Sequence, residues 1–170
     1  MSVNKICSFC VSNYHFITMC MPYIGKKIES ENITLFLEDD MQDIKEKFLN
    51  KVVLKEEEKG KIESLNFKKT ECKYTSIDEK LSNIEKVNCN LIVYGNEDYI
   101  NKINALLEKW IKTNYHKFQN INIINAYEVM EFNNNIAEIL SKHNKILNTS
   151  GEKTIEEVFE GYNSIKKNVI

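Results

Sequence analysis

The sequence contains no arginine, and all 23 basic residues among its 170 are lysines. Lysine is a point charge without the planar fork by which arginine binds phosphates and carboxylates, which disfavours specific recognition of nucleic acid. With 25 acidic residues the net charge is −2, so no strong overall field attracts nucleic acid or a membrane surface. We therefore expect no direct nucleic-acid partner and no membrane partner.

A phosphate-binding loop is also missing. Gly25-Lys26-Lys27 superficially resembles the end of such a loop, but Cys20 stands where the first glycine belongs, and Lys27 replaces the hydroxyl residue that holds magnesium. The run lies late in a predicted helix, where backbone amides do not point toward a phosphate. We expect no nucleotide here and no other cofactor.

The sequence has no long apolar run and no pattern of a disulfide framework. No stretch reaches the roughly 18 apolar residues of a membrane span, and the start lacks the signature of a signal peptide. The five cysteines are odd in number and irregularly spaced. These features predict a reduced, cytoplasmic protein. The length and a hydrophobic content of 42% fit a single globular domain over residues 1–170.

One cysteine pair, Cys7 and Cys10, has the spacing of metal knuckles and redox pairs. A structural zinc site needs a second such pair, which the sequence does not offer. Both cysteines fall in a predicted strand, where a separation of three residues places their side chains on opposite faces. We interpret them as buried structural thiols, with a redox or metal role as the alternative.

Hydrophobic strands alternate with amphipathic helices along the chain, which predicts a three-layer α/β/α fold with a mainly parallel sheet. Such a fold is RecA-like or Rossmann-like, here without a phosphate loop. Pro22 falls inside the first helix and is expected to bend it or split it in two. A final helix is predicted over Thr154–Ser164. Four continuous apolar runs are typical of strands buried on both faces, namely Ile6–Phe9, Ile33–Leu37, Leu91–Tyr94 and Ile121–Ala126.

Five polar or aromatic residues each follow a predicted strand, at the sheet edge where ligands bind in such folds. These candidate ligand-binding residues are His15, Asp39, Asp40, Glu97 and Tyr127. Ordinary helix capping is the competing explanation for the acidic residues. Tyr127 is the preferred anchor, because a phenol offers apolar area and one hydrogen-bonding tip. We expect Tyr127→Ala to weaken ligand binding at little cost in stability.

Two other readings of these side chains stay open. In the first, Asp39, Asp40 and Glu97 form an acidic rim that holds a divalent metal in a small cytoplasmic enzyme. In the second, the chain is an interaction or antagonist module without a small ligand.

His143 ends a predicted helix, where a cation would complement the helix dipole.

Four stretches of the sequence together resemble one known family, the MEDS domain, a sensory module of methanogens and methylotrophs named for a dichloromethane-responsive regulator. Tyr127 and His143 are the most specific matches, whereas Asn144 stands where family members often have proline, and segment 52–86 does not align. The four stretches are Ile6–Pro22 (ICSFCVSNYHFITMCMP), Ile33–Asp40 (ITLFLEDD), Leu91–Ile100 (LIVYGNEDYI) and Ile121–Leu147 (INIINAYEVMEFNNNIAEILSKHNKIL).

The resemblance implies a RecA-like core without a working phosphate loop that senses small, hydrocarbon-like molecules. It therefore implies a non-enzymatic sensory or signalling domain in a transcriptional or signalling pathway. Its partner would be a small molecule, a regulatory protein or both, with a homodimer left open. Because the sequence shows no DNA-binding or kinase module, we expect any output to pass through a partner protein.

Overall fold

A computed structural model describes the chain over residues 2–38, 46, 50, 55–60, 62–67, 73–82, 88–129 and 136–162. The strands are β1 Ser2–Cys10, β2 Asn32–Glu38, β3 Ile62–Phe67, β4 Asn88–Gly95, β5 Asn120–Glu128, β6 Lys145–Asn148 and β7 Gly151–Thr154. The described helices are α1 Asn13–Lys27, α2 Glu56–Lys59, α3 Tyr74–Leu81, α4 Glu97–Asn114 with a 3₁₀ turn at Tyr115–Lys117, α5 Ile136–Ser141 and α6 Ile155–Val158. None of these helices is long and apolar enough to cross a membrane.

The strands form one seven-stranded sheet in the order β3-β2-β4-β5-β1-β6-β7. The first six are parallel, and β7 runs antiparallel to β6. All four predicted apolar runs therefore lie in one parallel sheet, as expected for strands buried on both faces. In this register Gly95, Tyr127 and Phe9 lie side by side on β4, β5 and β1.

Helices cover both faces of the sheet, which confirms the three-layer α/β/α fold. Alternate residues of β5 illustrate the division: Ile124 and Ala126 belong to one core cluster, and Ile123 and Tyr127 belong to the other. The first cluster packs against α1, and the second packs against α3, α4, α5 and α6.

Helix α1 is a single helix that contains Pro22. Its start is capped by Ser12, whose side chain accepts a hydrogen bond from the His15 amide at 3.2 Å. The predicted split at Pro22 is wrong, because Cys20 before the proline and Tyr23 after it are both buried in the same core cluster. Packing against one sheet face thus offsets the hydrogen bond that the proline removes. Lys26 and Lys27 lie in the last turn of this helix, as predicted.

The predicted helix over Thr154–Ser164 begins where expected, because Thr154 caps α6, but the helix already ends at Val158. The sequence also contained no indication of strand β7, which Gly151–Thr154 forms just before it. This strand has no apolar alternation to reveal it, and it is held by backbone pairing with β6 and by an ion pair of 2.7 Å between Lys145 and Glu152. Thr154 then caps α6 in a capping box with Glu157. Residues 163 and 164 lie outside the described residues.

Three asparagines on adjacent strands form what we call the asparagine ladder, Asn4, Asn122 and Asn90, near the amino-terminal ends of β1, β5 and β4. Asn4 Nδ2 donates to Asn122 Oδ1 at 3.0 Å, and Asn122 Nδ2 donates to Asn90 Oδ1 at 2.9 Å. Asn90 Nδ2 in turn donates to Glu31 Oε2 at 2.7 Å, and Glu31 pairs with Lys27 at 3.0 Å.

The ladder is closed on the α1 side by the Tyr23 hydroxyl, which donates to Asn90 Oδ1. Asn90 is fully buried and Glu31 is 8% exposed. Each of these polar groups thus keeps a partner inside the protein, as buried polar groups require.

Candidate functional site

A cavity of about 190 Å³ lies between α4 and α5, on the sheet face opposite α1. On α4 the lining residues are spaced i, i+3, i+4 and i+7, which places them on one face of the helix. On β5 they are spaced i and i+2, which places them on one face of the strand. The lining residues are Lys5 of β1, Asn125 and Tyr127 of β5, Asn101, Asn104, Ala105 and Glu108 of α4, and Lys142 and His143, which follow α5.

His143 is held as a neutral ring by two neighbours. Its Nδ1 lies 2.6 Å from the carbonyl oxygen of Ile139, which can only accept, so Nδ1 carries the hydrogen. Its Nε2 therefore accepts from Asn125 Nδ2 at 2.9 Å. Burial lowers the pKa of His143 below 6.5, and the charges of Lys5 and Lys142 act in the same direction. The expectation of a cationic His143 at a helix end is thus wrong, because the ring is buried.

The lowered pKa of His143 predicts a loss of stability on acidification. The native state binds its proton less readily than the unfolded chain, so stability present above pH 6.5 is lost as the pH falls through the folded pKa. The slope from one such group is at most about 1.4 kcal/mol per pH unit. Urea unfolding at a series of pH values below 6.5 should show this dependence of the free energy of unfolding on pH in the wild type. His143→Gln should lack it. A variant that keeps the full wild-type slope would place its cause elsewhere.

Asn125 leaves one buried polar atom without a protein partner. The side chain is 1% exposed, and its nitrogen is committed to His143. Its Oδ1 has no hydrogen-bond partner in the described part of the chain. Asn104 Oδ1, on the α4 side of the same cavity, is likewise buried and without a partner there.

Tyr127, which also lines the cavity, is packed on two sides. Its ring stacks on Phe9 and meets His143 edge-on, with centroids 6.0 Å apart in each case. Burial raises its pKa, and the nearby Cys7 and Glu97 raise it further, so the phenol stays neutral. The expectation that Tyr127→Ala costs little stability does not fit this burial, because truncating a buried aromatic side chain leaves a cavity.

The three candidate residues that the structure describes lie at or just after the carboxyl ends of their strands, as predicted, but they are divided between the two faces of the sheet. Glu97 begins α4 close enough to influence Tyr127, but it does not line the cavity. His15 lies in the first turn of α1, in the opposite helical layer, where its Nδ1 accepts from the Val11 amide at 3.2 Å. Asp39 and Asp40 lie outside the described residues. Of the three described candidates, Tyr127 is the one that lines the cavity.

The described residues support neither the divalent-metal site nor the redox or metal role of the cysteine pair. No group of three or more histidine, cysteine or acidic side chains suited to a metal ion occurs among them, and the Asp39–Asp40 rim lies outside them. Cys7 and Cys10 are buried in opposite core clusters, as the strand spacing predicts. Burial raises the pKa of each thiol to about 12. A protonated, buried thiol is a poor nucleophile and a poor metal ligand.

The turn after β4 is tightly packed around Gly95. A Cβ added there would lie 2.8 Å from Tyr99 Cδ1 and 3.1 Å from Glu38 Oε2. The Glu38 carboxylate accepts from Asn96 Nδ2 at 3.1 and 3.3 Å, and Asn96 Oδ1 caps α4 by accepting from the Tyr99 amide at 2.9 Å. The turn therefore ties the end of β2 to the start of α4.

Sequence reasoning identified Tyr127 and missed most other cavity residues. One signal was present for Asn125, which interrupts the apolar positions Ile121, Ile123 and Tyr127 on one face of β5. The α4 residues gave none, because polar side chains at helical spacing are typical of any solvated face. Comparison of the chain with protein-family models finds no match, and comparison with curated proteins finds none either.

Proposed function

We propose that this chain is a non-enzymatic sensory or signalling domain that binds a small polar molecule in the cavity between α4 and α5. The observation that carries the proposal is the Oδ1 atom of Asn125, a buried acceptor in the cavity wall without a protein partner in the described residues. An unmade hydrogen bond of this kind costs about 1–3 kcal/mol, which a ligand donor would recover.

The groups around the cavity support binding rather than turnover. General acid–base catalysis needs a group whose pKa lies near the working pH. His143 has both nitrogens engaged and a lowered pKa, and Tyr127 has a raised pKa. Neither group is poised to exchange a proton with a bound molecule at neutral pH.

The cavity also supports a route from ligand to output. It is bounded by α4 and by Lys142 and His143 after α5. The next residue, Asn144, is tied to β1 by a hydrogen bond from its amide to the Lys5 carbonyl at 2.7 Å and by one from the Lys5 amide to its Oδ1 at 3.0 Å. A ligand that draws α4 toward this fixed segment would shift the exposed face of α4. A regulatory protein that binds this face would then distinguish the bound state from the free state.

A variant that fills the cavity tests the proposal. Ala105 lies on the wall that α4 contributes, and leucine there adds volume with little change in helix propensity. Native mass spectrometry and NMR titration with small polar fragments should show binding near Asn125 and Tyr127 in the wild type. We expect Ala105→Leu to weaken that binding by about tenfold or more.

The matched control is Lys112→Leu, an exposed position on the same helix that does not line the cavity. It should leave fragment affinity unchanged. If Ala105→Leu and Lys112→Leu behave alike, or if no fragment and no co-purified molecule binds the wild type, the proposed function is wrong.

A further inference from the structure

The lining of the cavity restricts the chemical class of its ligand. We infer that the cavity takes a small, uncharged molecule with an amide-like N–H group, which donates a hydrogen bond to the side-chain oxygen of Asn125. This inference rests on the proposed function and names the ligand that the same site selects. Four observations support it, concerning the orientation of Asn125, the opposite wall, the balance of charge and the size of the cavity.

The orientation of Asn125 is fixed by His143. Because the Ile139 carbonyl requires a hydrogen on Nδ1, the neutral ring offers only a lone pair at Nε2. The amide nitrogen of Asn125 must face that lone pair, at 2.9 Å. The oxygen of Asn125 is therefore left as an acceptor that only a donor from outside the described residues can satisfy.

The opposite wall carries a second amide that is not fixed in this way. Asn104 Oδ1 is buried without a partner in the described chain, and no neighbouring ring determines which end of this amide faces inward. By rotating its terminal group, Asn104 can present either its oxygen or its nitrogen. One fixed acceptor and one adaptable amide complement a ligand that carries a donor beside an acceptor, which is the pattern of a primary amide.

The charges around the cavity are balanced, which disfavours an ionic ligand. Lys5 pairs with Glu108 at 2.8 Å, and Lys142 pairs with Glu138 at 2.6 Å. A carboxylate ligand would place its oxygens against the Asn125 oxygen, where both groups are acceptors. An ammonium ligand would find the carboxylate of the lining, Glu108, already paired with Lys5. A neutral donor meets neither obstacle.

The size of the cavity sets the scale of the ligand. A volume of about 190 Å³ is enough for several water molecules. A compact amide with a short side chain fits this space.

The test compares four small probes: propionamide, propionate, methyl propionate and propylammonium. Titrations of the full chain at neutral pH, followed by NMR at the backbone amides of the cavity residues, should rank propionamide first by about tenfold or more. Methyl propionate is the decisive comparison, because it is neutral and similar in size but has no N–H donor.

Two variants locate the selectivity at Asn125. Asn125→Leu should remove the preference for propionamide over methyl propionate. Lys112→Leu, which lies outside the cavity, should retain that preference. Thermal unfolding of both variants establishes that they are folded.

The outcomes separate this inference from the proposed function. If propionate or methyl propionate binds as well as propionamide, and Ala105→Leu abolishes that binding, the cavity binds ligands but the inferred class is wrong. If propionamide alone binds and Asn125→Leu does not alter the selectivity, Asn125 is not the acceptor. If none of the four probes binds at millimolar concentration, the amide class is wrong, and the proposed function is judged by the fragment titration.

Discussion

Replacing Asn90 with leucine is expected to lower the free energy of unfolding by about 3–5 kcal/mol. Asn90 lies at the β4 end of the asparagine ladder, where it accepts from Tyr23 and Asn122 and donates to Glu31. Leucine has a similar size, so the cost arises from polar groups left without partners and not from a cavity. The largest share comes from the buried carboxylate of Glu31, which would keep only Lys27. Urea unfolding measures the change directly.

The control for this prediction lies on the neighbouring strand. Asn120 also donates a side-chain hydrogen bond across strands, to Asn88 at 3.0 Å, but it is exposed. Asn120→Leu should therefore cost less than about 1 kcal/mol. Combining Asn90→Leu with Glu31→Gln should recover part of the loss, because the unsatisfied charge is then absent. Additive effects of the two changes would show that Glu31 is not the cause.

Gly95→Ala is expected to destabilise the protein by about 2–3 kcal/mol, because its methyl group has no space. The nearest atom belongs to the ring of Tyr99, which is fully buried and cannot swing aside. The next belongs to Glu38, which is held by Asn96. Relief of the overlap must shift the turn that joins β4 to α4. Thermal and urea unfolding should both report the loss.

Gly25→Ala is the matched control, and its expected sign is opposite. Gly25 lies in α1, is exposed, and has nothing within 4 Å of an added Cβ. Alanine there should stabilise the fold by about 0.5–1 kcal/mol, since it is the better helix former and restricts the unfolded chain. Equal effects at both positions would mean that packing at Gly95 does not matter.

The parallel sheet could be predicted because continuous apolar runs in the sequence indicate its strands. The run Leu91–Tyr94 is apolar at every position, and Ile33–Leu37 is apolar at all but Thr34, a pattern that burial on both faces explains. β7 could not be predicted, because its residues Gly-Glu-Lys-Thr show no apolar alternation. The continuity of α1 through Pro22 depends on packing against a sheet that local sequence does not specify.

Within the candidate site, the sequence could predict only those residues whose position follows from the direction of the parallel strands. Tyr127 ends a predicted strand, so its place near the carboxyl edge follows from the fold. The neutral state of His143 depends on Ile139 and on Asn125, the latter 18 positions away, and no spacing rule connects the three. His15 also follows the carboxyl end of its strand, as predicted, but α1 and α4 lie on opposite faces of the sheet, so His15 does not line this cavity.

The short strand β7 also bears on how this sheet meets other chains. A parallel sheet that ended at β6 would present the apolar residues Ile146 and Leu147 at its border, next to free backbone groups. β7 covers that border with four residues, of which Glu152 and Lys153 carry opposite charges. Borders that are brief and charged are poor templates for adding a foreign strand. Along this side, the hairpin protects the domain from fibrous aggregation and from growth of the sheet into a neighbouring molecule.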